Sequence, residues 1–174
     1  FSDSMNLSDI PNEFTDIDHF RLAMGDIDQD GIEDLFVLSE DEGVVGRSPL
    51  SISNIPFPQP LPISVGNTPV SLDAVKLGDT WKVAVVTKNK RDYSLDIIDA
   101  EGNIETIELG SLSRGPNEII AFDANQDGRV DLLLLTRDKP MMMLQATDDS
   151  FILLEDSDMG QFGLVRAASA ENIA

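Results

Sequence analysis

The chain has 174 residues, 41% hydrophobic and 25% charged, with a formal net charge of −20 at pH 7 and no cysteine. That length and apolar content suit one domain with a core and argue against a disordered tail. The negative charge argues against nucleic acid or an anionic membrane surface as partners, and the absence of cysteine removes disulfides and thiolate chemistry.

The chain starts at Phe1 rather than Met, which is expected of a protein processed or cut from something longer. Residues 1 to 19 are expected to include the outer strand of a preceding unit. His19, the only histidine, stands beside Asp16 and Asp18. No nucleophile or oxyanion site accompanies them, so it reads as a surface loop residue.

The stretch GDIDQDGIED at 25 to 34 places Asp26, Asp28, Asp30 and Asp34 within nine positions. Numbered from Asp26, they offer side-chain oxygens at positions 1, 3, 5 and 9, and Ile32 at position 7 offers its backbone carbonyl. Gly31 at position 6 permits the sharp bend that turns these oxygens toward one point. A hard cation taking six to eight oxygens relieves the repulsion, and calcium suits such a flexible carboxylate loop better than magnesium. EF-hands open the same way but need a bidentate Glu at position 12; here position 12 is Val37, so Asp34 must close the site. The following LFVLS is a short apolar run that reads as a buried strand.

Residues 48 to 69 hold six of the nine prolines. Proline is confined to edge strands and loops, so an irregular outer edge of the first unit is expected there. VSLDAVKL and WKVAVVT are two further strands joined by the short turn GDT, with no metal loop. YSLDIIDAEGNIETIEL then reads as a hairpin about a Gly-containing turn. Trp81 and Tyr93 are single aromatics in strands and read as packing, although either could stack on a sugar.

FDANQDGRVD at 122 to 131 repeats the first acidic loop. Asp123, Asn125, Asp127 and Asp131 take positions 1, 3, 5 and 9, Gly128 takes position 6, and Arg129 offers the carbonyl of position 7. Position 12 is again apolar, Leu134. A second Ca²⁺ site is expected here. LLLLT and PMMML follow as strands; the methionines are expected in a core, since Cys and His ligands are absent nearby. FGLVRAAS at 162 to 169 looks like the start of a further repeat, whose loop would open with Ser169 and Glu171.

Asp26 and Asp123 lie 97 positions apart, and the strand ends Ser39, Thr87 and Thr136 are spaced by 48 and 49. About four short strands recurring every ~40–50 residues is the period of a β-propeller blade. The expected fold is therefore all-β, with propeller-type repeats at about 20–68, 69–115 and 116–160 and a partial repeat at 161–174. Three four-stranded blades with flanking strands do not complete a ring. An arc of a larger propeller is expected, with a partner surface at each end.

FRLAMGDIDQDGIEDLFVLS and NEIIAFDANQDGRVDLLLLT resemble the FG-GAP/VCBS repeats of integrin-α-like β-propellers. In that family the D-x-D-x-D-G-x-x-D loop joins the first two strands of a blade and binds Ca²⁺. The GAP triplet is replaced by VLS and LLT, so the bacterial-type VCBS variant is the closer resemblance. The resemblance implies a non-catalytic, calcium-stabilised scaffold, extracellular or periplasmic, that recognises protein partners or is completed by other blades or another chain. A carbohydrate-binding propeller and an accessory segment of a larger enzyme are the alternatives. Neither membrane insertion nor nucleic-acid binding is expected.

Overall fold

The computed structural model describes residues 20–39, 43–48, 59–62, 66–136, 140–148 and 150–154. Among them there is no helix, and twelve strands form three four-stranded antiparallel sheets, each a meander in chain order. The first sheet contains β1 (Phe20–Gly25), β2 (Asp34–Ser39), β3 (Val44–Ser48) and β4 (Gln59–Leu61). The second contains β5 (Thr68–Leu77), β6 (Thr80–Asn89), β7 (Asp92–Ile98) and β8 (Ile104–Ser111). The third contains β9 (Glu118–Phe122), β10 (Asp131–Leu135), β11 (Met141–Gln145) and β12 (Phe151–Leu153).

The inner strands are apolar without alternation because both of their faces are covered. Phe36, Val37, Leu38 and Ser39 are consecutive and all buried, as are Val83 through Thr87 and Asp131 through Leu134. Strands buried on both sides read as continuous apolar runs rather than as an in-out pattern. The outer strands behave differently. β8 alternates weakly and is mostly exposed, and β4 holds three residues with Pro60 at its centre, where a missing N–H is tolerated on an edge. Most of the proline-rich stretch, residues 49–58 and 63–65, lies outside the described residues, as do residues 1–19 and the expected partial repeat at 161–174.

One core lies between the first and second sheets. It joins Ala23, Phe36, Leu38 and Val45 to Leu72, Ala74, Val83, Val85 and Ile98. A second lies between the second and third sheets and joins Val75, Ala84, Val86, Leu95 and Ile97 to Ile119, Leu132, Leu134 and Met143. Met142 and Met143 are both fully buried, as expected of PMMML. The first strands of successive sheets are neighbours: β1 lies beside β5, and β5 beside β9.

Two contacts fix how closely these strands approach. A Cβ on Gly25 would lie 2.8 Å from Trp81 Cε3 and 2.9 Å from the Ala74 Cβ, so β1 can pass this near the second sheet only with glycine there. The Asp73 carboxylate on β5 accepts from its neighbour Ala74 N at 2.8 Å and from Ala121 N on β9. A side chain thus caps a strand edge that has no ladder partner.

Of the spaced hydroxyls expected at strand ends, Ser39 ends β2 and Thr136 directly follows β10, whereas Thr87 lies within β6, which continues to Asn89. Ser39 and Thr87 are fully buried. Thr87 Oγ1 accepts from Asn67 Nδ2 at 3.1 Å and lies 3.4 Å from Ser94 Oγ.

Candidate metal centre

The first acidic loop connects β1 to β2 and is held by its own carboxylates. Asp26 Oδ2 accepts from Gly31 N at 3.0 Å, Asp28 Oδ1 from Asp30 N at 3.3 Å, and Asp30 Oδ1 from Ile32 N at 2.8 Å. Asp34 Oδ2, at the first residue of β2, accepts from Ile27 N at 3.3 Å. Such local bonds let Asp trade strand pairing for a tight turn. Gly31 stands at φ 86° and Gln29 at φ 59°. Gly carries the first without a Cβ penalty.

The second loop, between β9 and β10, follows the same plan. Asp123 Oδ2 accepts from Gly128 N at 2.9 Å, Asn125 Oδ1 from Asp127 N at 3.0 Å, and Asp127 Oδ1 from Arg129 N at 2.9 Å. Asp131 Oδ2 accepts from Ala124 N at 2.9 Å. Gly128 and Gln126 have φ of 85° and 61°, at the positions of Gly31 and Gln29. Two loops with different sequences between the oxygens thus share dihedrals and hydrogen bonds, so the spacing of the polar residues directs the backbone.

One ligand atom from each of Asp26, Asp28 and Asp30 lies within 4.8 Å of the others. An ion with ligands at 2.3–2.6 Å spans oxygens up to about 5 Å apart, so the three fit a single cation. Asp26 Oδ1 is buried and receives no hydrogen bond. A buried carboxylate oxygen without a donor is costly, and a cation removes that cost. Calcium fits this all-oxygen set, with Asp26, Asp28 and Asp30 as the residues that would hold it. It would supply positive charge and cross-link the loop.

The position-9 aspartates are placed differently from the other three. Asp34 and Asp131 are buried at the base of the loops, where each staples the loop backbone to a strand. Asp34 also receives Arg47 Nη2 from β3 at 2.8 Å, and the same nitrogen lies 2.5 Å from Asp28 Oδ2. Asp131 Oδ1 instead accepts from Gln145 N at 2.9 Å, while Gln145 Oε1 accepts from Val130 N at 3.1 Å. The position-7 residues contribute backbone N–H groups to Asp30 and Asp127, as given above. Arg129 in addition reaches back to Asp127 Oδ2 at 2.5 Å, beside Asn125 Nδ2 at 2.9 Å.

These surroundings separate the carboxylates electrostatically. Burial pushes the Asp34 carboxyl above the ordinary carboxylate value, against the lowering effect of Arg47. The Arg129 backbone N–H holds Asp127 below it, helped by Asn125 and the Arg129 guanidinium. Arg47 and Gln145 were not singled out by spacing. The one available signal was a lone cation in the otherwise uncharged strand VVGRS, and nothing in a linear sequence marks which carboxylate it meets.

Trp81 packs on the core between the first two sheets and against Gly25. Tyr93 is buried, with Gly115 directly against its ring and Lys88 Nζ 5.8 Å from its centroid. Both aromatics are committed to packing. Compared with known proteins, the chain matches no family model, no curated protein and no solved structure.

Proposed function

We propose that the chain is a calcium-stabilised, propeller-type β scaffold of the FG-GAP/VCBS kind, non-catalytic, that works outside the cytoplasm by presenting surfaces to protein partners. Its three sheets are the blades of this reading, and Asp26, Asp28, Asp30 and Asp34 with Asp123, Asn125, Asp127 and Asp131 surround its two cation sites, joined by the backbones of Ile32 and Arg129. The observation that carries it is the first loop, in which carboxylate oxygens of Asp26, Asp28 and Asp30 converge and Asp26 Oδ1 stays buried without a donor; the second loop shares its hydrogen-bond plan. The ion acts by closing the connection between the first two strands of a sheet, so that the strand register is kept without a disulfide. The middle sheet needs none, because Gly78 and Asp79 alone join β5 to β6.

Thermal melts in calcium and in chelator test this. Binding to the folded state alone stabilises by about 2.7 kcal/mol at a hundredfold excess over Kd, so the two melts separate by several degrees. Superimposable melts would remove calcium from the reading.

A further inference from the structure

We propose that the β6–β7 hairpin, together with the connection from β8 to β9, docks a short acidic segment of a protein partner. The docking rests on the scaffold reading in taking the partner for a protein, and goes beyond it in naming that partner's chemistry and the surface that takes it. The chain carries 12 lysines and arginines against 32 aspartates and glutamates. Lys88, Lys90, Arg91 and Arg114 nevertheless meet at one corner of the second sheet, and none of the four makes an ion pair among the described residues. Arg47 and Arg129, by contrast, are each held by a carboxylate. Where acids outnumber cations this heavily, four cations without an acid between them are a surface kept for an outside anion.

The corner is tied together by its backbone and one ring. Lys90 and Arg91 form the two-residue turn, closed by Asn89 opposite Asp92. Arg91 O accepts from Leu112 N at 3.0 Å, which fastens the turn to the stretch that carries Arg114. Gly115 lies directly against the Tyr93 ring, and Lys88 Nζ stands 5.8 Å from the centroid of that ring. The acid beside the turn, Asp92, is occupied by the Ser111 hydroxyl. The backbone that carries the cations is therefore ordered before anything binds, which lowers the cost of binding. Two features mark the turn as more than a connector. Lys90 has φ 60°, where two-residue turns favour Gly or Asn, and strain of this kind points to a side chain kept for function. The hairpin also stands out from the sheet beside it. Ser39 ends β2, while β6 runs two residues past the equivalent Thr87, about 7 Å further. Lys90, Arg91 and Arg114 are all exposed.

The small size of the patch decides its occupant. The acidic loops and the turn Asp99 to Asn103 close the strands at the opposite end. A nucleic acid or a sulfated polysaccharide is charged along its whole length. It would run from the four cations onto a body whose net charge is −20 and be repelled there. A few carboxylates in a short protein segment begin and end within the patch.

Fluorescence anisotropy of a labelled oligoglutamate peptide, titrated with the full chain in calcium at ~0.15 M salt, tests the docking. Lys90→Glu with Arg91→Glu should weaken binding by about 10-fold or more, since each exposed charge pair is worth up to about fivefold. Lys76→Glu with Lys82→Glu changes the net charge equally at the far end of β5 and β6, and should leave binding nearly unchanged. Lys90→Gly should weaken binding while raising the thermal midpoint, because it removes a charge and relieves the turn. A lysine with only a structural role would not separate those two readouts. No binding by the parent chain, whether or not its own acidic residues 1–19 occupy the patch, overturns the proposal. So do equal losses in the two reversed pairs, which would mean that net charge alone is felt. Tighter binding of a sulfated polysaccharide or a single-stranded oligonucleotide than of the peptide would give the patch to another class of partner and overturn it as well. Melts in calcium and in chelator are read on the same samples. Coincident melts with the peptide still bound count against the scaffold's metal, whereas separated melts without peptide binding count against the docking alone.

Discussion

Arg47 Nη2 lies 2.8 Å from Asp34 Oδ2 and 2.5 Å from Asp28 Oδ2, so one guanidinium nitrogen from β3 serves two carboxylates of the first acidic loop. The chain supplies part of the positive charge that the aspartates require. A cation held by Asp26, Asp28 and Asp30, as proposed, would share Asp28 with this arginine and be coupled to it.

Arg47→Met should therefore destabilise the metal-free protein by about 3 kcal/mol, since it leaves Asp34 as a buried carboxylate without its partner. Asp34 is 2% exposed, so water cannot take the place of the guanidinium. Calcium should recover part of the loss, making the gap between calcium and chelator wider than in the parent. Urea unfolding under both conditions measures this. An unchanged gap would show that Arg47 and the ion do not share a carboxylate.

The two loops should differ in affinity. The first brings four carboxylates, while the second replaces one by the amide of Asn125 and ties Asp127 to Arg129. Ligand charge sets affinity in such sites, so the first loop should bind more tightly. Calorimetry on Asp30→Ala should find the weaker site remaining, and on Asp127→Ala the tighter one. Arg129→Ala should strengthen the second site by freeing Asp127. The reverse order in the two aspartate variants would defeat the charge argument.

Away from the loops, Asp73 and Asp99 should give opposite pH dependences. Burial raises Asp73 above its ordinary 3.8. The protonated form is thus favoured in the folded state, a contribution fully present below 3.8 and lost as pH rises through the raised value. Asp99 feels some burial but is lowered overall by Asn103, whose N and Nδ2 donate at 2.8 and 2.9 Å. Its contribution is present above 3.8 and lost as pH falls through the lowered value. Asp73→Asn, which keeps one acceptor oxygen at this place, should gain on the parent at neutral pH, with the advantage vanishing in acid. Asp99→Ala should lose at neutral pH and converge with the parent in acid. Denaturant midpoints between pH 2.5 and 7 provide the readout, and parallel curves for all three chains would contradict both assignments.

Gly25→Val should destabilise by about 1–3 kcal/mol, the range for overpacking a filled site, because the new side chain meets Trp81 and Ala74. The loss should be the same with and without calcium if the site that tightens is the contact between sheets and not the adjacent loop. Trp81 fluorescence reports the displacement directly. An unaltered emission spectrum with full stability would mean that β1 and the second sheet are farther apart than described.

The strands and both acidic loops were legible in the linear sequence because they depend on local rules. Apolar runs such as LFVLS and LLLLT can be buried only as short strands between turns, and D-x-[DN]-x-D-G-x-x-D bends its own backbone through bonds between residues two to seven apart. The spacing of Ser39, Thr87 and Thr136 followed the recurrence of the second strand of each sheet, although Thr87 lies inside β6 and not at its end. The tertiary structure alone decided what meets across units. Arg47 reaches Asp34 from another strand, Gln145 takes the equivalent duty at Asp131 in the third sheet, and Asp73 caps Ala121 across two sheets. Gly25 is required by Trp81, which is 56 positions away. These pairings follow from how sheets stack, and stacking is set by the summed fit of many side chains, which no single stretch of sequence encodes.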